Sequence, residues 1–402
     1  MSDILADTAW CLLPARSRFG GRAKNRAAAW DETPTPAEER AVTAAARTSL
    51  RTDLPVATGG LELLELLLSQ NVPARRLSAR AGDPLVQRLT SPPDLTARIS
   101  TAMSPAAVGS GMAMFTGFEL SYVEVGNVRL RVRHGGEGPA VLLVHGHPRT
   151  HTTWHLVAPA LAAAGYTVVC PDLRGYGRST APPDEPDHSQ AGKRAMAGDL
   201  IALMRELGHE RFHAVGHDRG GYVVQRLALD HPHAVDHVVI LGDVPIGEAL
   251  ARCDARFAHA WYHWFFMGRP APLPERLIAA GLDTWYTLDP ARMGQENHAD
   301  AAEAIADPRV RHAMCEDYRA GLGVDRAADD ADRAAGRRIT SPLLVLWGAK
   351  DDVAELYDHD VLGVWRPWAT DLYGYALDTG HHMMEEAPDL LTEALLDFLP
   401  RP

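Results

Sequence analysis

Gly216-His217-Asp218-Arg219-Gly220-Gly221 stands between an apolar run, Phe212-His213-Ala214-Val215, and a helical pattern from Tyr222 to Leu229. A strand, a Gly-x-nucleophile-x-Gly turn and a helix, in that order, make a nucleophile elbow, whose sharp turn exposes the central side chain at the strand end. Here the central residue is Asp218. A carboxylate is already ionised near neutral pH, so it needs no base to act as a nucleophile. The elbow therefore predicts attack on a saturated carbon that bears a leaving group, with an ester of Asp218 as the intermediate. A lone Gly-x-Asp-x-Gly is a common turn, and the weight of the reading comes from what surrounds it.

Working outward, His145-Gly146-His147-Pro148 follows the apolar run Ala140 to Val144, where a loop offering backbone N–H groups to an oxyanion would stand. Asp172 to Ser179 follows the run Tyr166 to Val169, and Gly380-His381 follows Ala376-Leu377-Asp378-Thr379. Further strand runs are His237 to Leu241 and Leu343 to Leu346. Leu120 to Val125 and Val128 to Val132 flank Gly126-Asn127 as a hairpin. Leu200, Leu203, Met204 and Leu207 have helical spacing that stops at Gly208. Strands alternating with helices predict a mostly parallel sheet wound by right-handed crossovers. The order nucleophile, acid, histidine is that of an α/β-hydrolase fold. The alternation breaks between residues 247 and 335, where Trp261 to Phe266 and Pro270, Pro272 and Pro274 predict an inserted helical cap. The expected organisation is an extension over 1–115, a first core part over 116–246, the cap over 247–335 and a second core part over 336–402. The extension is rich in Ala, Arg and Pro, with one short helical pattern from Leu61 to Gln70. It reads as a loosely ordered segment, a small helical appendage, or the result of a start assigned upstream of Met112 and Met114.

Composition bounds the remaining choices. The 402 residues are 46% apolar and 23% charged with net charge −12, which suits a soluble globular chain and argues against nucleic acid or acidic membranes as partners. No stretch of about 20 apolar residues predicts a membrane span. Met1 to Trp30 lacks a signal-peptide core. Cys11, Cys170, Cys253 and Cys315 are scattered without a Cys-x-x-Cys pair, so reduced thiols in the cytoplasm are expected. His145, His147, His151 and His155 raise a metal site, with His151 and His155 at helical spacing. No acid is interleaved and the loop already has a role, so neither metal nor cofactor is expected.

From about Phe118 to Leu399 the chain resembles the fluoroacetate and haloacetate dehalogenases of the α/β-hydrolase superfamily. The resemblance rests on His145 to His151, the Gly216 to Gly221 elbow, Tyr262-His263-Trp264, Pro270 to Glu275, and Met314-Cys315-Glu316-Asp317-Tyr318-Arg319-Ala320-Gly321. It implies that Asp218 displaces halide from the α-carbon of a haloacid and that Arg219 holds the substrate carboxylate with its planar fork. It implies a halide pocket of His263, Trp264 and Tyr318, and His381 as the base that activates water against the ester. It also suggests a homodimer through the cap and a small carboxylate substrate.

Three positions depart from that family. A second carboxylate-binding arginine is expected where Tyr222 stands, which favours a larger or less charged substrate. The acid that orients His381 is expected where Gly242 stands. Asp243 follows it, and Asp351 lies where many other α/β-hydrolases carry the acid; Asp351 is the preferred orienter and Asp243 its rival. His147 replaces a phenylalanine and makes the pocket more polar, while its N–H still serves an oxyanion hole. Two other functions stand beside the dehalogenase. An epoxide hydrolase would use Asp218 with two tyrosines, Tyr318 and one of Tyr262, Tyr286 or Tyr222. A non-catalytic binding protein would account for Tyr222 and Gly242.

Overall fold

The computed structural model describes residues 114–402 together with two short strands, Val56–Ala57 and Leu77–Ser78, which pair in parallel. By contacts the chain divides into Met1–Gly109 and Ser110–Pro402. The helical pattern at Leu61 to Gln70 lies outside the described residues.

The apolar runs become strands β1 (Glu119–Val125), β2 (Val128–Gly135), β3 (Ala140–Val144), β4 (Thr167–Pro171), β5 (Phe212–His217), β6 (Val235–Leu241), β7 (Leu343–Gly348) and β8 (Leu372–Leu377). They form one sheet in the order β8-β7-β6-β5-β3-β4-β2-β1. The β1–β2 and β2–β4 pairs are antiparallel and the other pairs are parallel. All five residues of β3 and all six of β5 are buried. Strands covered on both faces need apolar groups on both, which is why these segments read as continuous runs. Side chains alternate between faces along each strand. Accordingly Leu142, Val144, Ala214, Val238 and Ile240 join one apolar cluster, and Val141, Leu143, Val215, Val239 and Leu241 join the other.

The last strand, β8, is not marked by an apolar run. Its sequence Leu-Tyr-Gly-Tyr-Ala-Leu is only partly buried at the sheet edge, so it lacks the signal of a covered strand. Between β6 and β7 the chain runs through helices from Ile246–Ala251 to Arg326–Ala334, including Tyr262–Met267 and Pro308–Ala320. A π-helical turn, Gly321–Asp325, joins the last two. Among the described residues no helix is long and apolar enough to cross a membrane.

Candidate active site

Asp218, His147, Asp243, Asp351 and His381 all follow the carboxyl ends of parallel strands, β5, β3, β6, β7 and β8 respectively. This edge is where α/β sheets place ligands, because the strand-end loops diverge there. Asp218 has φ 51° and ψ −126°, a conformation that costs a side-chain-bearing residue about 1–3 kcal/mol. The turn is fastened by Gly221 N–H to the Asp218 carbonyl at 2.7 Å and by Asp218 N–H to the Leu241 carbonyl at 3.2 Å. It is also tight. A Cβ on Gly216 would run into the Gly220 carbonyl, and one on Gly220 into the carbonyls of Val144 and His145. The His147 backbone N–H donates to Asp218 Oδ1 at 2.6 Å. The loop after β3 thus lays a backbone donor on the half-buried carboxylate.

His381 pairs through Nδ1 with Asp351 Oδ2 at 2.8 Å. Burial alone would lower the His381 pKa. The Asp351 bond and the charges of Asp351 and Asp218 outweigh it and raise the value to about 9. Asp243, the rival orienter, is occupied differently. Its Oδ1 accepts the Tyr222 hydroxyl at 2.6 Å, its Oδ2 is buried without a hydrogen-bond partner, and its backbone carbonyl accepts Trp365 Nε1 at 2.9 Å. Burial, reinforced by the nearby charge of Asp218, lifts its carboxyl to about 8. At neutral pH Asp243 is therefore the protonated acid, and Asp351 carries the charge beside His381. Tyr222 spends its hydroxyl on Asp243 and packs edge-on against Trp264 at 5.9 Å.

The helices between β6 and β7 bring His263, Trp264 and Tyr318 to the same place. The Tyr318 ring lies 5.7 Å from His263, 6.5 Å from Trp264 and 5.3 Å from His147, centre to centre. Tyr286 packs on His147 at 5.5 Å, so two phenols flank that imidazole. Burial lowers the pKa of His263 to about 4, so the ring is neutral and offers an N–H. His147 is lowered in the same way, to about 3, and its Nδ1 is buried without a partner. Arg219 is fully buried. It gives Nη2 to Asp317 Oδ1 at 2.6 Å and to the Asp317 carbonyl at 2.8 Å, and Nε to Oδ1 at 3.2 Å. Its Cζ sits 4.3 Å from the Tyr318 ring centre, while Nη1 has no hydrogen-bond partner. Most of the guanidinium is thus committed to Asp317, and Nη1 is left buried without a hydrogen-bond partner.

The neighbouring polar residues are structural. Asp172 holds His151 at 2.8 Å and Arg131 at 2.8 Å, and the His145 ring accepts the Leu173 N–H at 3.0 Å. Two clusters among the described residues place three donor atoms within 4.8 Å: His217, His381 and His382, and Asp184, His312 and Glu316. In the first, His381 Nδ1 is held by Asp351 and His217 Nε2 by the His381 carbonyl. In the second, His312 bridges Glu275 and Asp184. Sequence reading missed the partners of Arg219. Asp317 lies inside a quoted motif with nothing to separate it from Glu316, and nothing in the sequence singles out Lys193, which shares Asp317 with Arg219.

The profile of the α/β-hydrolase fold family matches residues 139–388. The chain is 40% identical over 299 residues to a fluoroacetate dehalogenase from Burkholderia sp, covering 71% of this chain and 95% of that protein. It is 28% identical over 300 residues to a soluble epoxide hydrolase from Corynebacterium sp. (strain C12), covering 71% and 95%. Among solved structures, a putative α/β hydrolase from Nostoc sp PCC 7120 superposes with TM-score 0.68 at 40% identity, covering 72% of this chain and all of that one. A point mutant of a putative epoxide hydrolase from Pseudomonas aeruginosa, with bound MFA, gives 0.66 at 44% identity, covering 72% and 97%. The chain is an enzyme of the α/β-hydrolase family and, within it, is haloacetate dehalogenase-like.

Proposed function

We propose that this hydrolase displaces halide from a 2-haloacid through an ester of Asp218. The observation that carries the reading is the position of Asp218. It stands half-buried at the elbow, its charge felt by His263 and Tyr318, which share one cluster with Trp264 and Arg219. Arg219 Nη1 holds the substrate carboxylate and lines up the α-carbon with Asp218. A carboxylate oxygen attacks that carbon from behind, the carbon–halogen bond breaks, and the halide leaves with its electron pair toward the N–H and O–H groups of the pocket. His381 then takes a proton from water, and the hydroxide attacks the carboxyl carbon of the ester. His147 N–H supports the oxyanion, and collapse restores the Asp218 carboxylate and releases the hydroxyacid.

The charge on Asp218 also regulates His381. Part of what raises the imidazole to about 9 is the Asp218 carboxylate. Esterification removes that charge, so His381 becomes a better-matched base only after the intermediate has formed. One turnover in oxygen-18 water, with fluoroacetate or chloroacetate, should leave label in the Asp218 peptide and release one halide per hydroxyacid. An Asp218→Asn variant should do neither. A folded wild-type protein that releases no halide from either acid refutes the reading.

One observation favours a second reading, epoxide opening. Tyr286 and Tyr318 both pack on His147, and epoxide opening calls for two phenols that donate to the departing oxygen. Turnover of styrene oxide with no halide release from the haloacids would select it.

A further inference from the structure

Arg219 is paired with a carboxylate, and a fully paired guanidinium has little charge left for a substrate. The structure contains a counterweight. Lys193, the first residue of the helix Lys193–Glu206, is buried, and its Nζ donates to Asp317 Oδ1, the same oxygen that accepts from Arg219 Nε and Nη2. Its backbone N–H donates to Asp325 Oδ1 at 2.8 Å, and its Nζ lies 3.8 Å from Asp325 Oδ2. The other Asp317 oxygen accepts the Tyr176 hydroxyl at 2.8 Å. Asp317 thus serves two cations at one oxygen, with the pair Arg219–Asp317 wholly out of solvent.

We propose that Lys193 is a positioning residue for substrate charge: by sharing Asp317, it keeps Arg219 electropositive toward a carboxylate that it never touches itself. This rests on the reading of Arg219 as the carboxylate holder. The trio Lys193, Asp317 and Arg219 sums to two cations against one carboxylate, a net charge of +1. Without Lys193 the remaining ion pair is neutral. Without both Lys193 and Asp317, Arg219 alone restores +1. Asp325 keeps its bond to the backbone N–H of residue 193 in every variant. In a dry site such a change of one charge acts strongly on an anionic ligand and weakly on a neutral one.

The test compares chloroacetate with its neutral isostere chloroacetamide, measuring halide release by wild type, Lys193→Met, Lys193→Arg and Lys193→Met/Asp317→Asn. Lys193→Met should raise KM for chloroacetate roughly tenfold, the scale of one charge-assisted contact, with kcat nearly unchanged. Its kcat/KM for chloroacetamide should stay within about twofold, because a neutral ligand does not feel the lost charge. Lys193→Arg should keep the wild-type ratio between the two substrates. The double variant should recover chloroacetate affinity, and it supplies the answer if the single variant folds poorly. A purely structural role for Lys193 would depress both substrates equally, and an unrecovered double variant would have the same meaning; either overturns the proposal. If wild type releases no Asp218-dependent halide from either compound, the dehalogenase reading itself fails, and this proposal falls with it.

Discussion

Replacing Asp351 by Asn separates the two half-reactions. Attack by Asp218 removes no proton, so the first halide should leave at nearly the wild-type rate. Hydrolysis of the ester needs His381 oriented with its proton on Nδ1, and the 2.8 Å bond to Asp351 fixes both features. Asp351 is only 11% exposed, so the bond is a shielded, charge-assisted one worth about 1.5–3 kcal/mol, or roughly 10- to 150-fold in rate. An Asn amide can also donate to Nδ1, which puts the imidazole proton on the nitrogen that should accept it; in a serine triad the same fault costs roughly 10⁴-fold. We expect kcat for chloroacetate to fall between about 100-fold and 10⁴-fold, with a halide burst of one per active site preserved and the Asp218 ester visible by intact mass. Asp243→Asn is the matched control. Its amide oxygen still accepts the Tyr222 hydroxyl, so kcat should stay within about tenfold of wild type. Loss of the burst together with turnover, or a larger loss in Asp243→Asn than in Asp351→Asn, would show that the assignment of the acid is wrong.

Two further outcomes follow from the same geometry. Tyr318→Phe removes one donor from the departing halide and should slow halide release by roughly 10- to 100-fold. The deficit should be larger for fluoroacetate than for chloroacetate, since fluoride leaves less readily; equal deficits in single-turnover halide assays would remove Tyr318 from the pocket's role. Asp243 should make stability depend on pH. Its carboxyl is raised by burial and by Asp218 to about 8, so between the ordinary carboxylate range and pH 8 the folded protein keeps a proton that the unfolded chain has lost. Stability therefore declines as pH rises through that window. Asp243→Asn removes the decline, and its Tm relative to wild type should improve by at least ~2–4 °C between pH 5 and pH 9. An unchanged difference in thermal melts would mean that Asp243 ionises without penalty in the fold.

The legible parts of this protein were those written in local pattern. β3 and β5 show as unbroken apolar runs because both faces of the central sheet are covered, whereas β8, half-buried and interrupted by Gly374, left no comparable mark. The elbow was legible because its glycines answer to close backbone contacts that any sequence making this turn must avoid. The choice between Asp351 and Asp243 was not. Both follow a strand end within a residue or so of a suitable position, and only the fold shows one bonded to His381 and the other to Tyr222.

By itself, then, the sequence determined the class of fold, the aspartate at its elbow and the group of residue types gathered around it, because each depends on neighbours a few positions apart. Tertiary structure decided how those residues divide their bonds. Arg219 meets Asp317, 98 positions away, and Asp317 meets Lys193, 124 positions away. Charge in a buried site depends on distance in space and on exclusion of water, and neither is recorded in the spacing of letters along the chain.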